Sequence, residues 1–336
     1  MIALIGKDNE SVFANTLIAD RIYFSRIGED KKQVFTSDLE AIEDVISIIQ
    51  AMGRFLSGET LTGVSSDGRL LVSDLGKEIS SLLEHDSFAL RQALEGARRH
   101  PYLSVMEKLS DAYRDYDVFD WARGCRAAGL QALEEYVRLD IQRECSADVL
   151  RNSARSVVRG VRKNYASLDA LLSELSAKEK CLNAVSVDLR YIHEGFHGCG
   201  EKHSAESVKK DLDMLLKFID NSFPESISGY FWRLEFGLSR RFYARVVFFV
   251  ESSSVKSFFS YIKEQGSNEM LRVSRDCYLT VYDFLDGNDS PGDCIGSGAL
   301  NIQRIKDKAA FFLSADEFMR VDFSRRRVFG KSGVRC

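Results

Sequence analysis

Between Gly229 and Glu251 the chain reads GYFWRLEFGLSRRFYARVVFFVE, and no other stretch limits its fold as strongly. The first part, Tyr230 to Phe236, mixes aromatics with Arg233 and Glu235. The second, Phe242 to Val250, is dominated by aromatic and β-branched residues, which suit a pleated and largely buried surface. Gly237-Leu238-Ser239-Arg240-Arg241 lies between them, and Gly237 can take the positive φ that a tight connection asks for. The pattern predicts a β-hairpin, and one this apolar belongs in the interior of a sheet.

The run Gly229-Tyr230-Phe231-Trp232-Arg233-Leu234-Glu235-Phe236-Gly237 resembles the core of the filamentous-phage (inovirus) replication-initiator family, which includes the YagK/YfjJ-type proteins of cryptic prophages. That family is similar to the HUH endonucleases of rolling-circle replication, which nick one DNA strand through a tyrosine. The family's hydrophobic-Asp-Leu pair on its first core strand is matched by Asp188-Leu189, and its Arg-x-Phe-Gly close by Arg327-Val328-Phe329-Gly330-Lys331-Ser332. The resemblance covers roughly residues 178 to 336 and continues more weakly back to His100-Pro101-Tyr102. It implies an α+β fold, with a helical N-terminal half followed by an antiparallel sheet with helices on one face.

The same resemblance implies a site that has lost its reactive groups. HUH nicking uses two imidazoles and a further polar ligand to hold a divalent metal on the scissile phosphate. A tyrosine then attacks the phosphorus, with a lysine beside it. At the two histidine positions this chain has Tyr243 and Arg245, flanking Ala244; Phe312 stands at the tyrosine position and Ala315 at the lysine position. Phenylalanine has no hydroxyl, a neutral phenol is a poor ligand, and arginine stays protonated and repels a metal. Glu235 is retained, and its simplest use is an ion pair with Arg233, Arg240 or Arg241. The expectation is a pseudoenzyme that binds single-stranded or hairpin DNA without nicking it, together with phage or host replication proteins. No cofactor is expected, and magnesium or manganese enters only if nicking survives. Two other readings stay open. One is an active metal-dependent initiator with relocated groups, Tyr243 or Tyr278 as nucleophile and Glu235 and His193 near the metal. The other is a protein-interaction or phage-defence module that uses the fold alone.

Composition narrows the alternatives. The chain has 336 residues, enough for two or three domains, and is 45% hydrophobic and 29% charged. Three prolines argue against long disordered linkers. The net charge of -4 offers no global basic field, so a DNA surface has to be a local patch. No apolar run reaches the roughly 18 to 20 residues of a membrane span, and the first residues do not read as a signal peptide. Seven scattered cysteines suggest reduced thiols in a cytoplasm.

In chain order, residues 1–85 read as a small α/β unit of illegible role, 86–176 as a helical segment and 177–336 as the initiator-like domain. Within the first, Ser37 and Glu40 form a capping box for a helix, and Asp67-Gly68 signals a hairpin turn. Ser87 to Arg99 reads as one helix ended by His100-Pro101. Ser146 to Tyr165 and Leu168 to Leu175 read as two more, the former bearing Arg151, Arg155, Arg159, Arg162 and Lys163 at spacings of three and four. Such a stripe is a solvated helix face or a set of phosphate contacts.

His193-Glu194-Gly195-Phe196-His197 spells H-E-x-x-H, but it follows a strand and is interrupted by glycine, so it lacks the helix that motif needs. A looser zinc loop would use His193, His197, Cys199 and His203; the plainer reading is a polar connection. The candidate DNA contacts are Arg240, Arg241 and Arg245 on the hairpin and Arg320, Arg325, Arg326, Arg327 and Lys331 near the C-terminus. Phe242, Tyr243, Tyr278 and Tyr282 could stack unpaired bases.

Overall fold

The computed structural model describes residues 23–27, 30–34, 38–84, 97–115, 126–144, 147–177, 181–191, 204–237, 241–266, 268, 270, 277–285, 299–314, 319–321, 327 and 329–334. The chain divides into two compact units, Met1–Arg159 with Glu317–Met319 and Gly160–Asp316 with Arg320–Cys336. The helical N-terminal half and the antiparallel sheet beyond it are both present.

Among the described residues of the first unit, the antiparallel strands β1 (Tyr23–Ile27) and β2 (Asp30–Val34) come first. Helix α1 (Asp38–Leu56) buries Val45, Ile48, Met52 and Phe55, one stripe at helical spacing. Strands β3 (Thr62–Val64) and β4 (Leu70–Val72) make the hairpin expected at Asp67-Gly68, with Gly68 at φ +80. Helices α2 (Asp74–Glu84), α3 (Pro101–Asp115) and α4 (Arg126–Glu144) follow. Buried Glu134 of α4 accepts the Leu61 N–H at 2.7 Å and the Arg138 Nε–H at 2.8 Å, which ties the hairpin's base to that helix.

The helix expected over Ser87 to Arg99 does not include its last residues, because Ala97–Arg99 is strand β5. The residue before a proline is pushed out of the helical region, so His100 turns the chain into a new helix. Pro101 takes the first helical position, where its missing N–H costs nothing. His100 Nδ1 accepts the Tyr102 backbone N–H at 3.2 Å, as an N-cap side chain does. The two helices read over Ser146 to Leu175 are one continuous helix, α5 (Ala147–Ser176), and the division between units falls inside it.

The second unit is built on a five-stranded, wholly antiparallel sheet. Its strands are β6 (Leu182–Tyr191), β7 (Ile227–Gly237), β8 (Arg241–Glu251), β9 (Cys277–Asp283) and β11 (Phe329–Lys331), in the order β11-β7-β8-β6-β9. The predicted hairpin is β7 and β8, and β8 is the central strand. Strand β10 (Met319–Val321) lies outside this sheet. One face carries α6 (Ala205–Ser222) and α7 (Val255–Tyr261). Val208, Leu212, Leu215 and Ile219 of α6 are buried there, and Tyr191 donates to Asp211 Oδ2 at 2.8 Å. Phe258 of α7 lies 5.5 Å from Phe248 of β8.

The opposite face is covered as well. Gly229 there faces Leu171 and Leu175 of α5, and Phe231, Phe249, Phe284 and Phe329 form one aromatic cluster. Helices therefore lie on both faces, because the apolar half of this second face also needs a partner. Helix α8 (Ala299–Ser314) is tied to the unit by Lys306, 2.5 Å from Asp169, and by Lys308, which donates to the Leu285 carbonyl at 3.1 Å.

Among the described residues no helix is long and apolar enough to cross a membrane. Against the expectation of reduced thiols, Cys181 is disulfide-bonded, while Cys277 is buried and in no disulfide. Sequence spacing does not reveal which thiols meet in space.

Candidate functional site, a buried charge cluster

Alternation puts Asp188 and Arg190 of β6, Tyr243 and Arg245 of β8 and Arg233 and Glu235 of β7 on one face of three adjacent strands. The register places Arg245 opposite both Asp188 and Arg233, and Tyr243 opposite Glu235. This is also the face of the aromatic cluster; toward the Gly237 end of β7 its positions turn from Phe231, Val247 and Phe249 to these six polar and charged residues. Burial is nearly complete: Asp188 is 0% exposed, Tyr243 2%, Arg245 4%, and Glu235 and Arg233 5% each.

Charges buried this deeply persist only when paired and hydrogen-bonded. Arg245 Nε donates to Asp188 Oδ1 at 2.8 Å, and its Nη2 donates to Oδ2 at 3.2 Å. Arg190 Nη2 donates to Asp188 Oδ2 at 2.5 Å, and the Tyr282 hydroxyl donates to Oδ1 at 3.1 Å. On its other side, Arg245 Nη1 lies 3.8 Å from Glu235 Oε1, and Tyr243 donates its hydroxyl proton to Glu235 Oε2. Burial by itself would push the Asp188 carboxyl up; the Arg245 and Arg190 guanidinium groups outweigh it and hold it well below the usual carboxylate range. Glu235 is likewise held down against its burial, by Arg245, Arg233 and the Tyr243 phenol. Burial pulls the Arg190 guanidinium down, and the Asp188 charge more than restores it. Among the described residues the cluster sets three guanidinium groups beside two carboxylates.

This donor set does not fit a divalent metal. The one position flanked by both carboxylates holds the Arg245 guanidinium, which stays protonated. Tyr243 directs its proton at Glu235 rather than a lone pair at an ion. Among the described residues no three His, Cys, Asp or Glu side chains come together as metal ligands.

The other predicted site residues are dispersed. Arg245 is not a surface phosphate contact: it is buried and bound to Asp188, so it leaves the candidate DNA-binding set. The pairing foreseen for Glu235 falls on Arg245 and Tyr243, with Arg233 acting on it through its charge. Tyr282 is tied to Asp188, and Tyr278 is half-buried on β9. Arg241 lies at the start of β8, Arg320 in β10 and Phe312 in α8. Arg327 is exposed and Lys331 half-buried on edge strand β11. Arg240, Arg325, Arg326, Ala315, His193, His197, Cys199 and His203 lie outside the described residues. Sequence reasoning missed Asp188 as the hub and Arg190 as a member, and foresaw Arg233 only as a partner of Glu235. The signal was there as charged residues two apart, Asp188 and Arg190, Arg233 and Glu235, on strands otherwise apolar.

Compared with family models, with curated proteins and with solved structures, the chain gives no match.

Proposed function

We propose that this chain is a DNA-binding relative of rolling-circle replication initiators that does not nick. One observation carries the second half of that reading: the guanidinium of Arg245 sits between Asp188 and Glu235, where a catalytic cation would be held. What supports DNA as the partner is the resemblance of the hairpin and of Arg327 to Ser332 to the inovirus initiators, together with exposed Arg327 beside the sheet edge. The ligand class is single-stranded or hairpin DNA. Occupying an origin, or restraining a related active initiator of phage or host, needs binding and no chemistry. DNA as partner places the chain in the cytoplasm, where a disulfide at Cys181 would exchange with reduced thiols.

The experiment is incubation of the full chain with labelled hairpin DNA and manganese, resolved on native and denaturing gels. A shifted band on the native gel and free DNA on the denaturing gel are expected. A covalent protein–DNA adduct, or cleaved DNA lost in Tyr243→Phe or Tyr278→Phe, would overturn the inert half; no shift at low salt would overturn the DNA half.

A further inference from the structure

Helix α5 carries a row of cations of its own, separate from those of the hairpin and the C-terminal segment. Between Val149 and Leu168 there is no aspartate or glutamate, while Arg151, Arg155, Arg159, Arg162 and Lys163 supply five cations. At about 100° per residue these five fall within an arc of about 120°. Ala154, Val161, Leu168, Leu171, Leu172 and Leu175, the buried residues of the same helix, lie on a different side. Arg155, Arg159, Arg162 and Lys163 are exposed and make no hydrogen bond or ion pair among the described residues. Only Arg151 is engaged, with Asp148 at 2.8 Å.

A solvated helix face ordinarily alternates its charges, since four like charges at such spacing repel and cost helix stability. A run of one sign, on a chain whose net charge is -4, needs an outside source of negative charge. The stripe runs over about 18 Å, at about 1.5 Å per residue. One DNA strand carries about five phosphates over that length. A row of phosphates at regular intervals matches a row of guanidinium groups at regular intervals. An acidic protein partner would more naturally be met by an aromatic or large apolar anchor among the charges, and the exposed stripe has none.

We propose that residues 151–163 of α5 form a nucleic-acid backbone contact, read through phosphate charge and without base specificity. The proposal rests on DNA as the partner and adds a surface that the initiator resemblance does not assign.

The test is fluorescence anisotropy of labelled mixed-sequence duplex and single-stranded DNA with the full chain across a salt series. The variant carries Arg155→Gln, Arg159→Gln, Arg162→Gln and Lys163→Gln. It is expected to bind more weakly, with a log K against log salt slope for duplex less steep by about 3 to 4. Its melting temperature is expected to match the wild type, since no ion pair is removed. Should the variant unfold, the single changes Arg159→Gln and Arg162→Gln are each expected to flatten the slope by about 1. A variant that binds like the wild type, while Arg327→Gln with Lys331→Gln weakens binding, overturns the α5 surface and leaves the DNA reading standing. Wild-type protein that binds neither DNA overturns both. Poly-glutamate that displaces the labelled DNA as well as unlabelled duplex of equal charge makes an acidic protein the occupant, which also overturns the proposal.

Discussion

Asp188 accepts from Arg245, Arg190 and Tyr282 at once, so removing its charge takes the charged acceptor from two guanidinium groups in the sheet. Breaking a buried pair from one side is among the costliest single changes a core can take. Asp188→Asn is expected to destabilise the protein by about 3 to 5 kcal/mol, read from urea unfolding. A cost below 1 kcal/mol would mean the cluster is hydrated rather than buried. The acid limb has the same origin. Asp188 has a folded pKa below its unfolded one, so its contribution is full above the ordinary carboxylate value of about 4 and is lost as pH falls below it. Arg245→His tests the other side of the argument. It replaces a fixed cation by an imidazole that can give up its proton to a metal, flanked by the Asp188 and Glu235 carboxylates, a donor set that suits manganese. The variant is expected to bind manganese in an EPR titration more tightly than the wild type. Equal affinity would show that Arg245 does not hold the cation's place.

Elements depend on details at their ends that composition hides. His100 caps α3 with a lone pair, so it must be neutral to do so. Burial pulls its pKa down from 6.5 to about 4. A histidine with a lowered folded pKa stabilises fully above its unfolded value; that stability is lost as pH falls from about 6.5 toward about 4, by an order of 3 kcal/mol. Unfolding free energies at pH 7 and pH 4.5 should show it, and His100→Asn, which caps without titrating, should flatten the slope. At the other end of the chain the Arg-x-Phe-Gly stretch, which reads as a DNA-binding close, is largely structural where it is described. Phe329 is buried in the aromatic cluster, Gly330 pairs with Trp232, and Ser332 Oγ accepts the Tyr230 N–H at 2.9 Å. A Cβ on Gly330 would stand 2.6 Å from the Trp232 ring, a large side chain that is itself buried. Gly330→Ala is expected to cost about 1 to 3 kcal/mol, with the loss visible in a thermal melt. Helical periodicity and the hairpins were legible in the sequence. The split of residues 146–175 into two helices was not correct, since the tertiary contacts of Ala154, Val161 and Leu168 carry one helix through.

At the scale of the whole molecule, the sheet of the second unit is completed by the last residues of the chain. Strand β11 pairs with Phe231 to Arg233, about a hundred residues earlier, and covers the outer edge of β7. Deleting residues 327–336 exposes that edge, and an uncovered apolar strand recruits other chains. The truncated protein is expected to elute as aggregate in size-exclusion chromatography where the full chain does not. A truncated chain that elutes like the full one would show that β11 adds little. Net charge misleads at this scale too. The value of -4 averages over a buried cluster of both signs in the sheet and a helix face of one sign.

Taken alone, the sequence determined the elements: strand period in Gly229 to Glu251, a turn at Asp67-Gly68, helical stripes along α1 and α6. These follow from neighbours a few positions apart, which is all that dihedral preference and side-chain periodicity require. The tertiary structure decided which charges meet. In the sequence Arg245 is a ligand position turned cationic and a candidate DNA contact; in the fold its Nε and Nη2 donate to Asp188, 57 residues away. Strand register makes that choice, because it is fixed by the burial of whole faces rather than by the two residues that it brings together.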